Sequence, residues 1–274
     1  MRLTVAAGGV EIRLLGPFEV VSDRPVTVPR GRVRSLLATL ALAGHRPVPV
    51  EALVDHLWGG SAPANARQAL QNNVWRLRHL LGDAAVVNTA DGYQLDVPEE
   101  RVDVRRFLGL LERVDASPGE VRERLTAALR LWRGEPLSGV DSEVLRDTWV
   151  PLLTERYLTA VERQVDLDMD SGQLTGLVAD LRGLLAKYPL RESLWVRLLT
   201  ALAESGRTAE ALDAYERARR LLADQLGTDP SAELRELHRR ILLGHPGRTA
   251  PGTSPPGTSP PGTTVASPPA GSAA

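Results

Sequence analysis

Between Ala64 and Leu81 the chain carries Gln68, Gln71, Asn72, Trp75, Arg76 and His79 at spacings that gather them on one side of a helix, with Arg67 and Arg78 on its shoulder. On a helical wheel these six fall on an arc from about 100° to 240° away from Leu70, while Ala66, Val74, Leu77 and Leu81 lie within about 40° of it. No Asp or Glu occurs from Ala64 to Leu81. A helix face that merely meets water mixes acids with its arginines. Arg, Gln and Asn without acids match base edges in a DNA major groove. Arg pairs with guanine O6 and N7, Gln or Asn with adenine N6 and N7, and a carboxylate would repel the phosphates alongside. Arg67, Gln68, Gln71, Asn72, Trp75 and Arg76 are therefore the expected base contacts. Trp75 has two readings: an outward ring packed on sugar–phosphate or a thymine methyl, or a ring partly buried under a neighbouring hairpin.

A second cluster, Arg30, Arg32 and Arg34, leads into an earlier helix. Positive charge at a helix start opposes the macrodipole, so a phosphate is a natural counter-charge there; a solvated charge run is the plainer reading. These three, with Arg78 and Thr89, are the expected phosphate contacts. Other chemistry finds little footing. Cysteine is absent, which removes thiolate metal sites and thiol nucleophiles. Of 33 basic residues only Lys187 is Lys, and it stands in no G-x-x-x-x-G-K-[ST] loop. The five histidines form no i, i+4 ligand pair, and there is no G-x-S-x-G elbow. Helical carboxylates sit among arginines as surface partners, such as Glu216 near Arg220, and do not read as acid–base dyads. No catalytic residue, metal or cofactor is expected.

The elements that must hold these groups can be read on either side. Val10–Pro17, Phe18–Val21 and Val26–Val28 alternate between turns and predict a small antiparallel sheet. Val33, Leu36, Leu37, Leu40 and Ala41 give a first helix closed by Gly44. Val50, Leu53, Val54 and Leu57 give a short second one ended by Gly59-Gly60. The third runs from about Pro63 to Leu81. Asp91-Gly92 between Val86–Thr89 and Tyr93–Val97 is a strong hairpin signal. Three helices closed by a hairpin make a winged helix-turn-helix.

Near Pro98 the texture changes to helical periodicity throughout residues 103–244. Residues 1–98 carry 10 Arg against 8 acids, and residues 99–244 carry 22 basic against 26 acidic side chains. Trp195, Leu198, Ala211, Tyr215 and Ala218 fit the large, small and aromatic positions of a tetratricopeptide unit of about 34 residues. One unit earlier, Val161, Leu177, Leu181 and Leu184 occupy the matching places and Pro189 closes the copy. Such hairpins stack to leave a concave surface for partners. From His245 the chain reads HPGRTAPGTSPPGTSPPGTTVASPPAGSAA, predicting a disordered tail, with a Pro-rich docking peptide as the alternative. The whole chain, 274 residues with net charge -1, shows neither an apolar run of membrane-spanning length nor a signal-peptide core, which predicts a cytoplasmic protein.

The order of motifs is similar to a known family. Ile12-Arg13-Leu14-Leu15-Gly16-Pro17-Phe18-Glu19-Val20, Leu53-Val54-Asp55-His56-Leu57-Trp58-Gly59, Ala66 to Arg78 and Gly92-Tyr93-Gln94-Leu95 resemble the DNA-binding domain of OmpR-type response regulators. Leu131-Trp132-Arg133-Gly134-Glu135-Pro136-Leu137-Ser138-Gly139 resembles the signature of the bacterial transcriptional activation domain. Together they resemble the SARP family (Streptomyces antibiotic regulatory proteins) of actinobacterial activators. The resemblance implies a mainly α chain: an OmpR-type winged helix over 10–98, a tetratricopeptide-like activation domain over 103–244, and the tail over 245–274. It further implies head-to-tail binding of two copies, a homodimer on DNA, to direct repeats about one helical turn apart. Recruitment of RNA polymerase, including its sigma subunit, to a secondary-metabolite gene cluster follows from the same likeness. The family's polymerase-facing loop, here Gly59-Gly60-Ser61-Ala62-Pro63-Ala64, lacks the acids relatives often carry, and the wing has Asp91 where basic side chains would help. The rivals are a protein-interaction scaffold with a vestigial winged helix, and an enzyme; the acid-free third helix weighs against both.

Overall fold

The computed structural model describes residues 9–23, 25–112 and 117–244, so the Pro-rich segment from His245 lies outside the described residues. The fold is mainly α. Strands β1 (Glu11–Arg13) and β2 (Glu19–Val21) pair antiparallel with Ile12 opposite Val20. The expected third strand at Val26–Val28 does not form. The Val28 carbonyl is instead taken by the Arg34 guanidinium at 3.0 Å, a side-chain bond in place of a ladder.

Helices α1 (Arg32–Ala43), α2 (Val50–Trp58) and α3 (Ala66–Leu81) follow, then the hairpin β3 (Val86–Thr89) and β4 (Gly92–Leu95). Helix α1 is the hub: Leu36, Leu37, Ala38, Leu40, Ala41 and Leu42 are all buried, because α2, α3 and β4 each cover a side of it. The hairpin registers Asn88 opposite Tyr93 and Thr89 opposite Gly92. It is pinned to the α1–α2 connection by two bonds between Val48 and Tyr93 backbones, 2.8 and 3.1 Å. Gly92 permits that approach, since a Cβ there would stand 2.0 Å from the Val48 carbonyl oxygen and φ is +150°.

The helical half contains α4 (Asp103–Glu112), α5 (Pro118–Arg130), α6 (Glu143–Asp170), α7 (Leu177–Lys187), α8 (Glu192–Glu204), α9 (Thr208–Leu226) and α10 (Ala232–Leu242). The repeat register is visible as burial. Trp195, Leu198, Ala211, Tyr215 and Ala218 are buried in the α8–α9 hairpin, and Val161, Leu177 and Leu181 are buried in the preceding copy on α6 and α7. Pro189 closes that copy by accepting the Trp195 indole N–H at 2.8 Å.

Packing ignores the textural change near Pro98. One apolar core runs from Val10 to Leu153 and includes Val102, Val104, Phe107, Leu137, Val140 and Leu145; a second runs from Leu158 to Ile241. The division falls inside α6. The buried carboxylate of Asp103, at the start of α4, accepts the backbone N–H groups of Leu14 at 2.7 Å and Leu15 at 2.9 Å. The segment Leu131–Gly139 returns along the same edge. Its Arg133 and Leu137 N–H groups donate to the Leu15 and Leu14 carbonyls, and its Ser138 carbonyl accepts from Phe18. Leu137, fully buried at φ +58°, is held in a left-handed conformation that its surroundings impose. That motif is a seam joining the front module to the helical half.

Candidate nucleic-acid interface

Helix α3 buries Leu70, Asn73, Val74, Leu77 and Leu81 against α1 and α2. Arg67, Gln68, Gln71, Asn72, Trp75 and Arg76 are all exposed on its other side. The structure thus brings together the six residues singled out by spacing. Trp75 is 66% exposed and is not covered by the hairpin. Its ring stacks on His79 at 5.6 Å between centroids, which holds an apolar plate outward on the polar arc. Asn73 departs from the simple stripe: it is buried and donates Nδ2–H to the Ala69 carbonyl at 2.9 Å, so a polar residue occupies the core edge with its main donor satisfied. The first turn of α3 has no acid and no side-chain cap, which leaves the positive end of the helix uncompensated by its own residues.

The arc is nonetheless not free of acids in space. Glu51, on α2, reaches the Arg67 guanidinium at 2.7 Å, both side chains being largely exposed. Its carboxyl is held below the ordinary range by its own backbone N–H and by Arg67. A pair this exposed is screened by water and salt, so it breaks readily when a stronger partner approaches. The wing, α2 and α3 surround a shallow cleft in which Gln71, Arg67, Thr89 and Asp91 face one another.

The expected phosphate contacts separate into two groups. Arg30 and Arg32 are exposed at the start of α1, where Arg32 lies 5.8 Å over the Trp58 ring. Arg34 is engaged within the protein. Its guanidinium is half-buried, donates to the carbonyls of Val28 and Gly139 at 3.0 Å each, and lies 4.6 Å over the Phe18 ring. It therefore stitches α1 to the seam. The counter-charge that the start of α1 calls for is also internal: the Gly31 N–H donates to Asp141 at 2.9 Å. Arg78 is likewise turned inward, donating to the Val86 carbonyl and to Asn88 Oδ1 at 2.8 Å each, so it sets the wing against α3. Thr89 sits half-buried in β3, its Oγ1 shielded and without a hydrogen-bond partner.

Sequence reasoning missed the residues that position the interface from a distance. Ser142 caps α6 by accepting the Leu145 N–H at 3.3 Å while donating to the His56 carbonyl at 2.6 Å, which ties the end of α2 to the helical half. Beyond it, Gly59–Ser61 forms a single 3₁₀ turn before α3. No local pattern announces such ties; the only hint was Ser before an acidic first turn, an ordinary cap signal.

Residues 102–242 match the family described as bacterial transcriptional activator domain. The chain is 36% identical over 252 residues to the transcriptional regulator RedD of Streptomyces coelicolor, covering 87% of this chain and 72% of RedD. It is 34% identical over 255 residues to the regulatory protein DnrI of Streptomyces peucetius, covering 87% of this chain and 94% of DnrI. A solved structure of EmbR from Mycobacterium tuberculosis, in complex with a low affinity phosphopeptide, superposes with a TM-score of 0.80 at 33% identity, covering 87% of this chain and 66% of that one. The same similarity spans 64% of the full length of EmbR. With the OmpR-type winged helix in front and this helical half behind, the chain belongs to the SARP family of transcriptional regulators.

Proposed function

We propose that the protein is a sequence-specific DNA-binding activator whose α3 enters the major groove. The observation that carries this reading is the exposed, acid-free face of α3, on which Arg67, Gln68, Gln71, Asn72, Trp75 and Arg76 stand together above a buried stripe. Arg76, Gln71 and Asn72 supply bidentate pairing chemistry for guanine and adenine edges, and Arg67 exchanges Glu51 for DNA. Trp75 offers an apolar plate to a thymine methyl or the sugar–phosphate. Arg30 and Arg32 hold phosphates beside the groove.

Two copies bind head-to-tail on direct repeats about 10–11 bp apart, as the likeness to the SARP family implies. RNA polymerase with its sigma subunit is recruited across the turn between α2 and α3, at promoters of a secondary-metabolite gene cluster, and the protein acts in the cytoplasm on the nucleoid.

Fluorescence anisotropy on the promoter DNA of neighbouring genes, at several salt concentrations, tests this. Arg76→Ala weakens specific binding by about 1–3 kcal/mol and relaxes the preference at one position. Arg32→Ala weakens all sequences alike and lowers the salt slope by about 1. Unchanged promoter affinity in Arg76→Ala removes that residue from the site, and the lack of any salt-sensitive binding removes the reading as a whole.

A further inference from the structure

Helices α4, α5 and α6 enclose a cleft of about 240 Å³ that shares no residue with the α3 face. Its walls are apolar: Leu110 and Leu111 from α4, Val121 and Leu125 from α5, and Ala160 from α6. Its polar lining is strongly biased in sign. Arg156, Thr159 and Arg163 are spaced along one face of α6, and Arg124 joins them from α5. Glu155, the one carboxylate lining it among the described residues, is engaged elsewhere, bound through both oxygens by Arg191 at 2.6 and 2.8 Å. Arg156 and Arg163 are exposed and make no ion pair with any described residue. An apolar pocket rimmed by guanidinium groups is complementary to a molecule with a hydrocarbon body and an anionic head, since each guanidinium presents two parallel donors to a carboxylate.

The size narrows the occupant. The cleft is below the roughly 300–1,000 Å³ of sites for drug-sized ligands, and it is confined to one three-helix junction. An amphipathic partner helix needs apolar anchors repeated over several turns. We propose that the α4–α5–α6 cleft binds a medium-chain carboxylate, its hydrocarbon lying on Leu111, Val121, Leu125 and Ala160 and its head held by Arg156 and Arg163. The site is independent of DNA recognition and stands or falls separately from it.

Titration calorimetry on the full chain, with decanoate below its micelle concentration, tests the assignment against decanol and decyltrimethylammonium. Decanoate binds saturably at one site, and both uncharged and cationic analogues bind at least tenfold more weakly. The double variant Arg156→Gln/Arg163→Gln, at exposed positions, loses at least tenfold in decanoate affinity while its urea unfolding midpoint is unchanged. Thr159→Trp, which fills the cleft from an exposed position without altering charge, abolishes binding. Absence of saturable decanoate binding, equal binding of decanol, or an unaffected double variant overturns the proposal. So does binding of an acidic amphipathic helical peptide in place of the carboxylate.

Discussion

Replacing Asp103 by Ala removes one carboxylate that closes two buried backbone donors at once, the N–H groups of Leu14 and Leu15 at 2.7 and 2.9 Å. Each buried donor left without a partner costs about 1–3 kcal/mol, so the gross loss is about 2–6 kcal/mol. Part of this is offset, because the mutation also relieves the burial of a charge. Burial pushes the Asp103 carboxyl above its ordinary value, the two N–H groups and the nearby Arg133 opposing that rise only in part. The net expectation is a loss of about 2–4 kcal/mol for Asp103→Ala, and a smaller one for Asp103→Asn, which keeps one acceptor oxygen. The sign with pH follows from the raised value: the contribution of the protonated form is full below the ordinary 3.8 and is lost as pH rises through the folded-state value. The stability gap between the native protein and Asp103→Asn therefore narrows from acid to neutral pH. Urea unfolding of the full chain reads these as shifts in midpoint at constant slope. A loss below about 1 kcal/mol for Asp103→Ala would show that the Leu14 and Leu15 donors find other partners, and the seam between the modules would then rest on its backbone bonds to Leu131–Gly139 and on apolar contact.

Arg34→Ala is expected to lower stability by about 1–3 kcal/mol through loss of its bonds to Val28 and Gly139, leaving the salt slope of DNA binding unchanged; a slope lowered by about 1 at unchanged stability would return Arg34 to the phosphate contacts. Gly92→Ala drives a Cβ into the Val48 carbonyl, so the wing should shift at a cost of about 1–3 kcal/mol in thermal unfolding, with weakened DNA binding beside it. His56 is half-buried with Nδ1 unpartnered, and burial holds its pKa below the ordinary 6.5. The stability it contributes is present above that value and is lost as pH falls through the lowered one, so the native urea midpoint should fall between pH 7 and 5.5 and that of His56→Gln should fall less. Parallel curves would exclude His56 as the titrating group.

The elements that declared themselves in the sequence are those built from local rules. The α3 stripe at Leu70, Val74 and Leu77 needs only helical periodicity, the wing needs only Asp91-Gly92 between alternating runs, and the α8–α9 hairpin needs only the spacing of Trp195, Ala211 and Tyr215. Val26–Val28 misled because alternation reports a half-buried segment, not a paired one; Val28 is buried, yet its carbonyl is bonded by Arg34.

The arginines show where local reading stops. Arg67, Arg76 and Arg78 look alike on a helical wheel, and Arg30, Arg32 and Arg34 look alike in a run, but their neighbours come from far along the chain. Arg34 meets the carbonyl of Gly139, 105 residues away, and Arg67 meets Glu51 on another helix. Arg78 meets its own hairpin. An arginine serves the nucleic-acid surface only if no internal acceptor has captured its donors, and that is decided by tertiary packing. The start of α1 shows the same limit: helix electrostatics suggest a phosphate as counter-charge, and in the structure the Gly31 N–H is taken by Asp141, which lies 110 residues on. Because Asp141, Gly139 and Ser142 all reach the front module from the approach to α6, the helical half also helps to hold α1 and α2, against which α3 packs. The placement of α3, and with it the face proposed to meet DNA, therefore rests on contacts from both halves of the chain.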